Sequence, residues 1–233
     1  MKTTRLGVLG GTFDPIHLGH LDAARAARRA LDLGEVVFVP AHVPPHRDRP
    51  RASGYHRLAM VALAIQSDPG FVVSDAELTA GGPSYTARTF RGLHAEGWAP
   101  SQIFFITGVD AFAEIASWHA YPAVMDAANF VVVSRPGFSQ AGLGERLPDL
   151  APRFLEVAAD GRDAARAGGD DTRTRVFLVA AATTDVSSTE VRARLAGDGA
   201  LDGLVPPPVA DYARRHRLYV SALGAAGLLH GEE

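Results

Sequence analysis

The sequence predicts a doubly wound α/β fold, a parallel sheet with helices on both faces, from three observations. Short runs of consecutive apolar residues recur along the chain, segments of helical period separate them, and the two kinds alternate. Consecutive apolar positions mark strands covered on both sides, because a strand with one wet face alternates instead. The first such run is Leu6–Leu9. A helix is expected over Leu18–Leu33, with Leu21, Ala24, Ala27 and Leu31 on one face. Val36–Val39 is the second strand, and Tyr55–Gln66 the second helix, with Leu58, Val61, Ala62 and Ile65 on its apolar face. Further strands are expected at Phe71–Ser74, Ile103–Ile106, Phe130–Ser134 and Val176–Ala181. Further helices are expected over Thr86–Glu96, Asp110–Ser117, Pro122–Ala127 and Thr189–Ala196. Right-handed crossovers wind such an alternation into a Rossmann-like sheet, with ligands outside the carboxyl ends of its strands.

At 233 residues the chain is long enough for one sizeable domain. Residues 1–220 read as that domain and 221–233 as a tail of small residues. The stretch 137–175 breaks the pattern. It is Gly-rich and charge-dense, with weak apolar anchors at Leu143, Leu147, Leu150, Phe154 and Leu155, and reads as a surface excursion. A net charge of −3 argues against non-specific nucleic-acid binding. No apolar run is long enough to span a membrane and no secretory leader is visible, so a cytoplasmic location is expected. Oligomeric state is not legible, and a homo-oligomer is left open.

Cysteine is absent, which excludes disulfides, thiolate metal ligands and a cysteine nucleophile. Of 23 basic residues 22 are arginine, the only lysine being Lys2. A Walker-type phosphate loop and a Schiff-base lysine are excluded with it. Any phosphate gripped by a side-chain cation is gripped by arginine or histidine.

The strongest local signal is Gly10-Gly11-Thr12-Phe13-Asp14-Pro15-Ile16-His17-Leu18-Gly19-His20, directly after the first strand. Two glycines permit a sharp turn and a close approach of backbone to ligand. His17 and His20, three apart at a helix start, share a face, and the helix amino terminus adds unpaired N–H groups. Together these make an anion site of backbone amides and two imidazoles. A zinc site lacks a third ligand nearby, and the glycine spacing is not that of a dinucleotide fingerprint.

A second signal follows the last strand, at Val186-Ser187-Ser188-Thr189-Glu190-Val191-Arg192. Ser187 and Glu190 have capping-box spacing, so the plain explanation is a well-capped helix. Hydroxyls at a helix start with Arg192 one turn further on also make a second phosphate cradle.

Taken as a pair, Gly10–His20 and Ser187–Arg192 resemble the signature of the nucleotidylyltransferase superfamily, and within it the bacterial nicotinate-nucleotide adenylyltransferase family. Further matches in order are Pro40–Arg47, Ser84-Tyr85-Thr86 with Thr89, Gly108-Val109-Asp110, Trp118, Arg135-Pro136-Gly137, Val205-Pro206, Tyr212 and Leu218-Tyr219. The resemblance covers roughly 5–135 and 176–219. Arg47 stands where the family commonly has lysine, and His119 where an aromatic often follows Trp118.

The resemblance implies a nucleotidylyltransferase-type sheet and adenylyl transfer from ATP to nicotinate mononucleotide, releasing pyrophosphate, in NAD biosynthesis. It implies that His17, His20 and Arg192 are catalytic. Gly10, Gly11, Thr12, Phe13, Gly108, Asp110, Ser188 and Thr189 would complete the ATP site. Thr86, Trp118 and His119 would serve the nicotinate ring, His119 through its backbone. His46, Arg47 and Arg135 are candidates for the mononucleotide phosphate, with the triphosphate as the alternative. Magnesium would arrive with ATP, and no protein metal site is expected. The rival readings are pantetheine-phosphate adenylyltransferase, glycerol-3-phosphate cytidylyltransferase and a non-catalytic nucleotide-binding module. Class I aminoacyl-tRNA synthetases are disfavoured by the missing lysine-rich second loop.

Overall fold

The computed structural model describes residues 5–44, 49–137, 140–164, 173–197 and 199–220. Its centre is a seven-stranded, wholly parallel sheet in the order β3-β2-β1-β4-β5-β7-β6. The strands are β1 (Leu6–Gly11), β2 (Glu35–Pro40), β3 (Phe71–Val73), β4 (Ile103–Gly108), β5 (Asn129–Val133), β6 (Phe154–Ala158) and β7 (Val176–Ala180). Chain order reverses between β1 and β4, which pair from Leu6↔Ile103 to Leu9↔Ile106. Beyond their carboxyl ends lies the crevice in which this sheet type holds ligands.

Six of these strands are the expected ones; in β1, β4, β5 and β7 burial explains the unbroken apolar runs, while the edge strand β3 leaves Val72 exposed. Phe38, Phe104 and Phe177 fill one face beneath the helices α1 (Leu18–Leu31), α2 (Gly54–Ile65), α7 (Ser188–Ala196) and α8 (Pro207–Arg215). Phe90, Phe105, Phe112 and Phe130 fill the other beneath α4 (Thr86–Ala95), α5 (Val109–Phe112) and α6 (Leu143–Arg146). Burying each such ring contributes roughly 2–3 kcal/mol, so the two aromatic clusters carry much of the sheet's stability. Among the described residues no helix is long and apolar enough to cross a membrane.

The structure departs from expectation in several places. The stretch 137–175 is not simply a surface excursion. Leu143, Leu147 and Leu150 are buried in the second face, and Phe154–Ala158 forms β6, paired to β7 from Phe154↔Val176 to Ala158↔Ala180. As an edge strand β6 is half-covered and carries an exposed Glu156, so its sequence lacks the continuous apolar run of a central strand. On α2 the buried face is Arg57, Met60, Val61 and Ala64 with Ile65, while Ala62 is exposed, because a buried arginine turns the helix. Asp110–Ser117 splits into α5 and a 3-10 turn at Ile115–Ser117, and Pro122–Ala127 holds a 3-10 turn at Ala123–Asp126. Two helices were not anticipated, the short α3 (Ala76–Ala80) and the amphipathic α8, which buries Val209, Ala210 and Ala213.

Candidate active site

The segment after β1 is set by steric necessity. A Cβ on Gly11 would lie 2.8 Å from the ring of Phe13, and one on Gly10 would touch Phe105 at 3.4 Å. Phe13 takes a left-handed backbone, φ 49°, and is buried with its ring edge-on to His20 at 5.1 Å. Gly10, Gly11 and Phe13 thus shape the turn that delivers His17 to the start of α1.

His17 and His20 stack, 3.7 Å between ring centroids and 26° from parallel. The backbone N–H of His17 donates to Nδ1 of His20 at 3.2 Å, which leaves the His20 ring proton on Nε2. Gly19 leaves them room, since a Cβ there would stand 3.3 Å from the His17 ring and 3.1 Å from the Thr184 carbonyl, and both would have to give by a few tenths of an ångström. Burial first, and the charge of Arg135 second, hold the His17 pKa down to about 3 against the opposing pull of Asp22. His17 is therefore a neutral hydrogen-bonding group at pH 7, and the expected anion site has no cation at this position.

The second motif docks directly on the first. Ser188 donates its hydroxyl to the Pro15 carbonyl at 2.9 Å, and Arg192 donates Nη1 to the Asp14 carbonyl at 2.7 Å. Nη2 of Arg192 donates to Thr189 Oγ1 at 3.2 Å, and its buried Nε has no hydrogen-bond partner among the described residues. Ser187 caps α7 by accepting the Glu190 N–H, but the Glu190 carboxylate turns to Arg194 at 2.8 Å, so only half of the expected capping box forms. Thr184 ties the same loop to α1 by donating twice to Asp22, at 2.6 and 2.9 Å.

Asp110, in the first turn of α5, pairs with Arg135 at 3.3 Å, and Arg135 also donates to the Val186 carbonyl at 3.3 Å. Gly108 admits this carboxylate: a Cβ would fall 2.5 Å from Asp110 Oδ1. Arg135 thus stands between the last motif and the first, its charge lowering the His17 pKa.

Thr86 opens α4 on the other side of the crevice. Ser84 accepts the His42 N–H at 2.7 Å and donates its own N–H to the Val43 carbonyl at 2.9 Å, so the segment after β2 roofs this helix start. Tyr85 stacks on His119 at 4.2 Å and 26°, bringing the Trp118 loop to Thr86. Trp118 is half-buried, edge-on to Phe105 at 6.0 Å. His46 and Arg47 lie outside the described residues. A cavity of about 660 Å³ runs beneath α4 past Val8, Val37, Ser84, Tyr85 and Thr89, and none of His17, His20 and Arg192 lines it.

Three site residues escaped sequence reasoning. Asp14, read as part of a turn, accepts the N–H groups of Arg51 and Ala52 at 2.8 and 3.0 Å and the phenol of Tyr219 at 2.8 Å. Arg57 is buried and donates to the carbonyls of Thr12, Ala41 and Ala52. Burial weakens its hold on its proton, and Asp14 opposes that. The only sequence signals were an acid inside a glycine-rich loop and a Leu-Tyr pair near the end.

The chain belongs to the cytidylyltransferase-like family of nucleotidyltransferases, whose model matches residues 8–194 and so spans both motifs that meet through Ser188, Arg192 and Asp14-Pro15. A Geotalea uraniireducens protein named as a probable nicotinate-nucleotide adenylyltransferase is 39% identical over 94% of this chain and 99% of its own length. An Aeromonas hydrophila protein of the same name is 40% identical over 92% and 96%. Within the larger family the chain is thus a member of the nicotinate-nucleotide adenylyltransferases. The fold matches that of Plasmodium falciparum nicotinic acid mononucleotide adenylyltransferase, solved in complex with APC (TM-score 0.66, 17% identity) and with NaAD (TM-score 0.63, 16% identity). Each match covers 93% of this chain and 97% of the other.

Proposed function

We propose that the crevice joins ATP to nicotinate mononucleotide, forming nicotinate adenine dinucleotide and pyrophosphate. The observation that carries this reading is the docking of Ser188 and Arg192 onto Asp14-Pro15, one turn of chain from the stacked His17 and His20. That arrangement concentrates neutral N–H donors, hydroxyls and one guanidinium on a single locus, suited to a triphosphate.

The mononucleotide phosphate attacks the α-phosphorus of ATP, a new P–O bond forms, and the bond to the β-phosphate oxygen breaks. A phosphate is already deprotonated at pH 7, so no general base is needed, and catalysis consists of in-line positioning and stabilisation of moving charge. His20 donates from Nε2 to an α-phosphate oxygen, with His17 stacked behind it. Arg192, Ser188, Thr189 and the first turn of α7 hold the β- and γ-phosphates that leave. Arg135 adds charge on the same side, and Asp110, held by Arg135, takes a ribose hydroxyl. Thr86 and the N–H groups opening α4 accommodate the nicotinate carboxylate, with Trp118 and the backbone at His119 bounding the ring and His46 and Arg47 serving the acceptor's phosphate. Magnesium enters with the substrate, carried by the triphosphate.

The test is pyrophosphate release from ATP and magnesium with a panel of acceptors. Nicotinate mononucleotide is expected to outpace nicotinamide mononucleotide, phosphopantetheine and glycerol 3-phosphate. Equal turnover of the nicotinamide form would overturn the acceptor assignment, and turnover only of phosphopantetheine would move the chain to another branch of its family.

A further inference from the structure

We propose that Tyr219 is a positioning residue for the triphosphate site, acting through Asp14 to keep Arg192 available to phosphate. The proposal rests on the adenylyl-transfer reading of that site. Asp14 is buried, and its carboxylate collects three donors: the N–H of Arg51 on Oδ2, and the N–H of Ala52 with the phenol of Tyr219 on Oδ1. Arg192 passes this carboxylate. Its Nη1 lies 4.0 Å from Asp14 Oδ2 yet donates at 2.7 Å to the carbonyl of the same residue. An aspartate so placed would ordinarily close on the guanidinium as a direct ion pair, which is stronger than a bond to a neutral carbonyl. Three donors hold it at the long end of an ion pair, 4.0 Å from Arg192 Nη1.

The phenol reaches Asp14 from 205 residues along the chain, and the backbone is bent to aim it. Tyr219 has φ 70°, a left-handed conformation that a bulky residue adopts at a cost, two residues after Arg217 at φ 49°. Burial and the neighbouring Asp14 push the phenol far above the usual tyrosine range, so it remains a donor throughout the working pH. Without that hydroxyl the carboxylate keeps two of its three donors, Ala52 N–H on Oδ1 and Arg51 N–H on Oδ2, and draws harder on Arg192 in competition with phosphate.

Tyr219→Phe tests this, because it removes the donor and keeps the ring in the core. The dissociation constants of magnesium pyrophosphate and magnesium ATP, by titration calorimetry, are expected to rise about tenfold, the worth of one charge-assisted hydrogen bond. The KM for ATP should follow them, while the KM for nicotinate mononucleotide stays within about twofold. On an Arg192→Ala background the same substitution should change pyrophosphate binding no further, since the two residues act in series. Unchanged pyrophosphate binding in Tyr219→Phe would overturn the proposal. So would an equal effect with and without Arg192, or a matched rise in both KM values tracking a lowered melting temperature. The acceptor panel reports on adenylyl transfer itself, whereas pyrophosphate binding reports on the Tyr219–Asp14–Arg192 relay whatever the acceptor, so the two fail separately.

Discussion

His20 accepts the backbone N–H of His17 through Nδ1, and that single bond at 3.2 Å fixes which nitrogen of His20 can serve a substrate. The proton sits on Nε2, and the ring is clamped between His17, stacked at 3.7 Å, and the edge of Phe13. His20→Ala is therefore expected to lower kcat about 10²–10³-fold, the effect of losing one preorganised donor to developing charge, with little change in melting temperature. His20→Gln, whose side-chain amide reaches the place of Nε2, should recover part of that loss, and His20→Asn should recover none. Similar rates in all three variants would show that the donor at Nε2 is not what matters.

The neutral state of His17 ties stability to pH. Its pKa is about 3 in the folded protein against 6.5 for an unperturbed histidine, chiefly because it is buried. Between those values the unfolded chain binds more protons than the folded one, so stability rises with pH across the window and is lost on acidification. The slope reaches about 1.4 kcal/mol for each pH unit below 6.5. Urea unfolding at about pH 7, 6 and 5 measures it. His17→Gln should flatten the dependence, and parallel curves for the two proteins would assign the slope to other groups.

Gly19 separates local propensity from site geometry. Alanine is favoured over glycine inside a helix by up to about 1 kcal/mol, so propensity alone predicts that Gly19→Ala stabilises. The new Cβ would stand 3.1 Å from the Thr184 carbonyl and 3.3 Å from the His17 ring, so either must yield by a few tenths of an ångström. The two effects offset in stability, but the displaced imidazole does not recover its place. A melting temperature within a few degrees of the parent is expected, with kcat down about tenfold. An undiminished kcat would mean that the stack tolerates the shift.

Which parts of this molecule were legible in its sequence follows from where information resides. Strands such as Ile103–Gly108 and Asn129–Val133 are wrapped by helices on both faces, so burial writes itself into consecutive residues. Phe154–Ala158 lies at the edge and needs only Val157 fully buried, and it left no such trace. The two motifs were legible as a pair because each places its glycines, histidines, hydroxyls or arginine at a helix start after a strand, although a capped helix alone accounts for the second. The particular contact that joins them was not, because the Ser188 to Pro15 bond spans 173 residues and no spacing rule reaches that far. Arg135 could not be apportioned from sequence for the same reason. Its partners Asp110 and Val186, 25 and 51 residues away, appear only in the fold.

Arg57 is the position where pattern and structure disagree most, and it yields the firmest stability prediction. An arginine in an amphipathic helix reads as solvent-facing, yet this one is 1% exposed. It spans two loops, donating at 2.6 Å to Thr12 and Ala41 and at 3.3 Å to Ala52. Arg57→Ala strands three carbonyls, leaves the volume of the side chain empty and removes a guanidinium that interacts electrostatically with the buried Asp14. A loss of about 3–5 kcal/mol is expected by denaturant unfolding. Arg57→Lys keeps the charge but presents one compact ammonium where a planar fork bridges two segments, so it should recover less than half. Arg57→Met restores volume without donors, and if it matched the parent, packing rather than hydrogen bonding would be the role of the residue. Because the loops it joins carry Thr12 and lead from Ala41 toward the roof over α4, activity should fall in Arg57→Lys even at temperatures where that variant is fully folded. Full activity there would show that the two loops keep their spacing without the guanidinium.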